Sequence, residues 1–285
     1  MPWRAGVDEA GYGAVIGPLA HSAVVSQRTG WAGEFTAAGL RVDDSKKVYN
    51  SGGPAALERT VLAAAVVTGW QGADLPSLLE HLGVAMDPLP DWFDGSRIAL
   101  PMFSDSAIVL PDVAGRDLKL YTHLTFPESF NALVAASDNK STVAMNCVAG
   151  LMRRVLADHG DDGHLLVDKQ GGRNRYAPFL FYCFPGCLVA TEEEHARCSR
   201  YRLGPLCVEF AEKADGHSPE VALASMTAKY LREVFMWRFN SYWQNALPGL
   251  APTAGYPEDA RRFIPELLRA CPGISSELHL LLRER

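Results

Sequence analysis

Ala5-Gly6-Val7-Asp8-Glu9-Ala10-Gly11-Tyr12-Gly13 is the stretch that decides the fold. A short apolar run ends in two adjacent acids and passes into a glycine-rich turn. Ile16 to Val25 follows with small and β-branched residues suited to a buried sheet, so residues 4–8 and 16–26 read as two strands joined by that turn. The acidic pair then stands at a strand tip, where buried charge is costly unless it is used. Acid followed by glycine also marks an ordinary turn. The pair takes its meaning from the rest of the chain.

Asp168 ends a second apolar run, Leu165-Leu166-Val167, read as strand 164–168. Further on, Ser218 is an N-cap candidate with Pro219 at the first helical position, opening a helix expected to run to about Trp243. Ser225, Lys229 and Glu233 are four apart and share a face of that helix. A plain surface Lys–Glu pair, worth about 0.3 kcal/mol, would look the same.

Acids on two strand tips and one helix suit phosphodiester hydrolysis. That reaction needs an activated water and a sink for charge on the leaving oxygen, and two divalent cations about 4 Å apart supply both. Magnesium takes oxygen ligands and keeps several waters, so a few carboxylates suffice. Asp8, Glu9, Asp168 and Glu233 are the candidate catalytic and metal-ligating residues, for two Mg2+ or Mn2+ ions. Without cations such a cluster would repel itself and raise some of its own pKa values.

Four spellings occur in order: Val7-Asp8-Glu9-Ala10-Gly11; Asp44-Ser45-Lys46-Lys47; Leu166-Val167-Asp168; and Lys213-Ala214-Asp215 with Ala224-Ser225-Met226-Thr227-Ala228-Lys229. As an ordered set they resemble the type 2 ribonuclease H family, from near residue 4 to about residue 260. The resemblance implies an α/β fold: a ribonuclease H-like mixed sheet flanked by helices, with a small helical C-terminal appendage. It implies a metal-dependent endoribonuclease acting on RNA/DNA hybrids or ribonucleotide-containing DNA. It sets Gly11, Tyr12 and Gly13 beside the ribose 2′-hydroxyl, the group that distinguishes RNA from DNA. Lys46, Lys47 and Lys213 become phosphate contacts, and Ser225 and Lys229 complete the substrate-binding set.

The chain departs from the family pattern at three points: Tyr12 stands where arginine is common, Lys169 where glycine follows the third acid, and Glu233 where aspartate is common. Lys169 would set a cation beside a metal ligand. Ala254-Gly255-Tyr256-Pro257, with Asp259 and Arg262, resembles the start of the family's ending and makes Tyr256 a stacking aromatic. Ser275-Ser276-Glu277-Leu278-His279 replaces the histidine–arginine pair expected after it. Two other readings stay open, a non-catalytic nucleic-acid-binding member of the same fold and a nuclease for another substrate.

The chain has 285 residues, 48% hydrophobic and 21% charged, enough for an ordinary core. The expected division is a catalytic domain over residues 1–245 and a helical extension over 246–285. Within the first, residues 83–127, with Pro88, Pro90, Pro101, Pro111 and Pro127, read as an insertion of short strands and loops. A net charge of −6 disfavours indiscriminate nucleic-acid binding while leaving room for a local basic groove. No apolar run approaches the ~20 residues of a membrane span. A cytoplasmic monomer is expected. The six cysteines match no paired zinc spacing and read as reduced, buried thiols. Helices are expected at 54–67, at 128–136, then past Ser137-Asp138-Asn139 to His159, and at 258–270 and 275–285, with a short strand over 187–191.

Overall fold

The alternation of β-branched and small residues before residue 26 builds a hairpin, β1 (Trp3–Ala10) and β2 (Leu19–Ser26), paired antiparallel with Asp8 opposite Ser22. A computed structural model describes residues 2–84, 87–137, 139–169 and 172–284. After β2 come α1 (Trp31–Ala37), α2 (Ser45–Val67), α3 (Leu75–His81), β3 (Leu118–Thr125), α4 (Pro127–Ser137), α5 (Lys140–His159) and β4 (Gly163–Asp168). Then follow α6 (Ala177–Cys183), β5 (Ala190–Glu194), β6 (Cys198–Leu203), β7 (Leu206–Ala211), α7 (Pro219–Ala246), α8 (Pro257–Ala270) and α9 (Leu278–Leu281). The strands form one mixed sheet in the order β3-β2-β1-β4-β7-β6-β5, with β1–β4 and β4–β7 parallel. The expected mixed α/β sheet flanked by helices is the observed one.

Each sheet face has its own core. Trp3, Ala5 and Val7 of β1 point down with Leu165, Val167, Val208 and Phe210 onto α5 and α6. On the other face α7 crosses β1 and β2, and its Leu223, Tyr230 and Phe235 join Leu57 and Val61 of α2. The contact between α7 and β1 is very close. A Cβ on Gly6 would stand 2.1 Å from the backbone nitrogen of Val221, so only glycine fits. Ser218 caps α7 as expected, its hydroxyl accepting from the Val221 N–H at 3.4 Å.

Several expectations need correction. The 83–127 segment is not wholly an insertion, because Leu118–Thr125 is a full strand paired with β2. Its Leu118, Leu120 and Tyr121 are buried, so the chain must return to the sheet there. What precedes it is clamped to the domain by Glu58. This buried carboxylate accepts the backbone N–H groups of Met102 and Phe103, both at 2.8 Å, and the Tyr230 hydroxyl at 3.0 Å. The helix expected at 54–67 is present and ends at Val67, and a further helical segment from Ser45 precedes it across a kink at Gly52 and Gly53. The short strand lies at Ala190–Glu194 and not 187–191, and β6 and β7 follow it. Among the cysteines, Cys147 and Cys183 are buried, whereas Cys187 is exposed.

The C-terminal part is helical and packs into the main core, where Phe263, Leu267 and Leu281 join the cluster of Phe239 and Trp243. Its last residues extend back to the glycine turn, with Ile16 bridged to Leu282. Asp138 of the expected break and Arg285 of the expected final helix lie outside the described residues, as do residues 85–86 of the expected insertion. Among the described residues, no helix is long and apolar enough to cross a membrane.

The α7–β1 contact makes Gly6→Ala a direct test of the packing. The added methyl group must push α7 off the sheet, and overpacking of this kind costs about 2 kcal/mol or more. A marked fall in unfolding midpoint is expected in a denaturant titration, and an unchanged midpoint would contradict the close approach.

Candidate active site

Parallel pairing of β1 and β4 sets Val7 beside Val167, so the next residues, Asp8 and Asp168, emerge side by side at neighbouring strand tips. They open into a cleft of about 670 Å³. Asp8 points to the α7 face of the sheet and is only 7% exposed. Its Oδ1 accepts the Glu9 N–H at 2.7 Å. Ser225 of α7 reaches both Asp8 and the Ser45 hydroxyl, the latter at 3.0 Å. The serine therefore ties helix, strand and the Asp44-Ser45-Lys46-Lys47 turn together.

That turn is a helix start. Asp44 caps α2 by accepting from the N–H groups of Lys46 and Lys47, and both lysine side chains stand exposed at the cleft rim. Across the cleft, Lys213 adopts φ 55 and is the one non-glycine residue with left-handed backbone among the described residues. Such strain costs of order 1 kcal/mol and persists where the surroundings impose it. Here it aims the Ala214 N–H at Asp168 Oδ1, 2.7 Å away, and sets Asp215 in the cleft wall.

The acids crowd one another. Burial pushes the Asp8 carboxyl well above its usual range, and the charges of Glu9 and Asp168 push it further. Asp168 is pushed up to about 6, by burial first and then by Asp215 and Glu212, against the Ala214 N–H and Lys46. Asp215 is raised by burial and by Asp44, with Lys46 and Lys47 opposing. All the donors are hard oxygens, the chemistry that magnesium and manganese prefer. Among the described residues no three acid, imidazole or thiol groups form a ready-made cage for a metal ion. Magnesium does not require one, since it binds through one or two carboxylates plus waters and substrate phosphates.

Of the sequence-selected residues, the cleft gathers Asp8, Glu9, Gly11, Tyr12, Lys46, Lys47, Asp168, Lys213, Ser225 and Lys229. Gly11, at φ +88, has its carbonyl held by Arg283. Gly13 is exposed beyond the rim. Glu233 is not among the residues lining this cleft. Its carboxylate binds Lys229 Nζ at 3.0 Å in an adjoining hollow. Each four-residue step along a helix turns about 40°, so two steps set Glu233 about 80° round the helix from Ser225. Lys169 is also displaced from its expected role. Its ammonium donates to the carbonyls of His195 at 2.6 Å and Ala196 at 3.0 Å, joining two loops.

The sequence reading overlooked Asp215 as an acid of the site, along with Asp44, His217 and Arg232. Arg232 is buried and donates to the carbonyls of Ile16, Pro18 and Ala254 at 3.2, 3.1 and 2.9 Å. Tyr256, 47% exposed, covers its guanidinium at 5.6 Å. The one available signal was Lys213-Ala214-Asp215, an acid two residues after a cleft lysine.

Solved structures with this architecture exist. The ribonuclease HII of Archaeoglobus fulgidus, solved in complex with PCNA, superposes with a TM-score of 0.51 at 20% identity, covering 93% of this chain and 87% of that one. The fold is that of the type 2 ribonucleases H. Bst-ribonuclease HIII in complex with Mn2+ gives a TM-score of 0.54 at 15% identity, covering 99% of this chain and 66% of that one. The ribonuclease H3 of Aquifex aeolicus gives 0.51 at 15%, over 98% and 70%. No protein-family model and no curated protein sequence matches the chain.

The raised Asp168 carboxyl predicts how the metal-free protein responds to pH. Its folded value, about 6, lies above the ordinary 3.8, so the protonated acid favours the fold. That contribution is complete below about pH 4 and lost as pH rises through about 6. Asp168→Asn keeps the Oδ1 acceptor and removes the charge. In chelator the variant should melt higher than the parent near pH 7, and the difference should vanish toward pH 4. Parallel melting curves across that range would contradict the assignment.

Proposed function

We propose that this chain is a metal-dependent endoribonuclease that hydrolyses the RNA strand of RNA/DNA hybrids. The observation that carries the reading is the joint occupation of one cleft by Asp8, Glu9, Asp168 and Asp215 with Lys46, Lys47, Lys213 and Lys229 around them. Acids without cations nearby would suit metal storage, and cations alone would suit passive nucleic-acid binding. Their mixture suits a phosphate backbone brought against divalent ions.

In this reading Asp8, Glu9, Asp168 and Asp215 hold a pair of Mg2+ or Mn2+ ions. Such ions, when bound, activate a water and neutralise charge on the leaving oxygen. The protein residues do the rest. Lys46 and Lys47 project from the first turn of α2 at the cleft rim, where their ammonium groups suit phosphate. The left-handed Lys213 offers a third phosphate contact from the opposite wall. Ser225 fixes the Asp8 carboxylate in one orientation. Gly11 and Tyr12 line the cleft, and a 2′-hydroxyl placed there would be read by hydrogen bonding. Tyr256 gives a ring on which a sugar or base stacks.

Tyr12 supports a preference for continuous hybrid over a single ribonucleotide embedded in DNA. Its ring packs against Leu19, Phe130 and Val143 with the Lys140 ammonium 5.3 Å away, so the turn's middle residue is tied down and uncharged. The Bst-ribonuclease HIII structure was solved with Mn2+, which supports manganese as a metal to try.

Cleavage of labelled hybrid in Mg2+ or Mn2+ tests the reading. Asp8→Asn and Asp215→Asn should each lower the rate by about 100-fold or more, the loss expected when several kcal/mol of charge stabilisation is removed. Glu233→Gln should lower it far less. Full activity in Asp215→Asn, or a dead Glu233→Gln that melts normally, would reverse the choice of fourth acid. No cutting of hybrid with either metal would end the proposal.

A further inference from the structure

A second hollow, of about 510 Å³, opens off the acid cleft and shares Lys229, Arg232 and Tyr256 with it. Its far walls are aromatic: Tyr49, Phe103 and Trp237. Trp237 is 47% exposed, a large apolar ring left uncovered on a rigid helix. Beyond it the surface continues into a further hollow lined by Arg97 and Met102, with Trp237 common to both. Ser225, Lys229, Glu233 and Trp237 form a stripe winding about 40° per step around α7, which leads from the acids to this aromatic wall. Ser225 and Trp237 are twelve residues apart, a rise of about 18 Å, or roughly five nucleotides at duplex spacing.

The aromatic wall is held in place. Phe103 belongs to the segment pinned by Glu58, and its ring meets Tyr230 edge-on at 6.4 Å. Arg238 fastens the same segment to α7, donating to the carbonyls of Asp91 at 2.5 Å and Asp94 at 2.7 Å. Lys229 stands over the Tyr49 ring at 4.2 Å. Fixed aromatic rings flanked by Lys229 and Arg97 form the combination that single-stranded nucleic acid uses, with bases on rings and phosphates near cations. A purely hydrocarbon occupant fits poorly, since Glu233, Lys229 and Arg97 all border the track.

We infer that this hollow takes unpaired bases of a strand leaving the acid cleft along α7, stacked on Trp237 and Phe103. The inference rests on the cleft being a nucleic-acid site and adds a substrate feature to it: a hybrid that continues into single strand. Trp237 and Phe103 are then specificity-determining residues.

The test measures binding of labelled oligonucleotides to the full chain by fluorescence anisotropy at constant ionic strength. The probes are a blunt hybrid, the same hybrid with a short thymidine overhang on either strand, and versions with an abasic overhang. For the parent, one overhang should tighten binding over the blunt hybrid by about 5- to 150-fold, the gain from stacking one base. The ratio should fall toward one with abasic overhangs and in Trp237→Ala, and should be largely restored in Trp237→Phe. Thermal melts confirm that each variant is folded. Equal binding of blunt and overhung hybrids by the parent would overturn the inference, as would a gain that survives the abasic probe or Trp237→Ala. A chain that cuts blunt hybrid but gains nothing from an overhang fails here alone. One that shows the Trp237-dependent gain but cuts nothing fails only in the catalytic reading.

Discussion

The contact of α7 with β1 at Gly6 sets everything else. A helix backbone can touch a strand backbone only where no side chain intervenes, and Gly6 removes it where α7 crosses. Two residues later on the same face stands Asp8, so the crossing that buries the helix also buries the acid. Ser225 meets the carboxylate because it lies one turn along from Val221. A bulkier residue at position 6 would lift the helix and open a gap between hydroxyl and acid. The core packing and the chemistry of the cleft thus share one steric requirement.

The cleft is electrostatically unfavourable to the fold by itself. Buried Asp8 stands next to half-buried Asp168, and Asp215 faces Asp44. Lys46 and Lys47 offset part of this from the start of α2. The rest of the fold supplies rigidity at the same place. Arg232 and Arg283, both buried, gather carbonyls of the loop after β1 from two sides, with one Arg283 nitrogen donating to the carbonyls of Gly11 and Ala14. The chain's last turn therefore braces its first. Such bracing holds the glycine turn against a substrate, where a mobile loop would lose the geometry.

Much of this was legible because it is local. The β1–β2 hairpin and the capped start of α7 follow from periodicity and turn chemistry within a few residues. Asp8 and Asp168 follow from acids ending apolar runs. Asp215 was harder to see because it sits in a single 3-10 turn after a left-handed lysine, and neither feature has a periodic signature. Glu233 attracted attention through four-residue spacing, a rule that holds for neighbours and drifts over two steps. Strands β6 and β7 were hidden by their composition. One side of each is buried, while half-buried Arg200 and Glu209 on the other side pair with each other. Strand β3 was masked by the proline-rich segment before it, whose place is fixed by the distant Glu58.

The most direct test is anomalous X-ray diffraction from crystals of the chain grown with Mn2+ and a non-cleavable hybrid. The account predicts manganese peaks contacted by Asp8 and by carboxylates from among Glu9, Asp168 and Asp215, with a backbone phosphate beside them. Manganese seated on Glu233, or no manganese between the tips of β1 and β4, would contradict it.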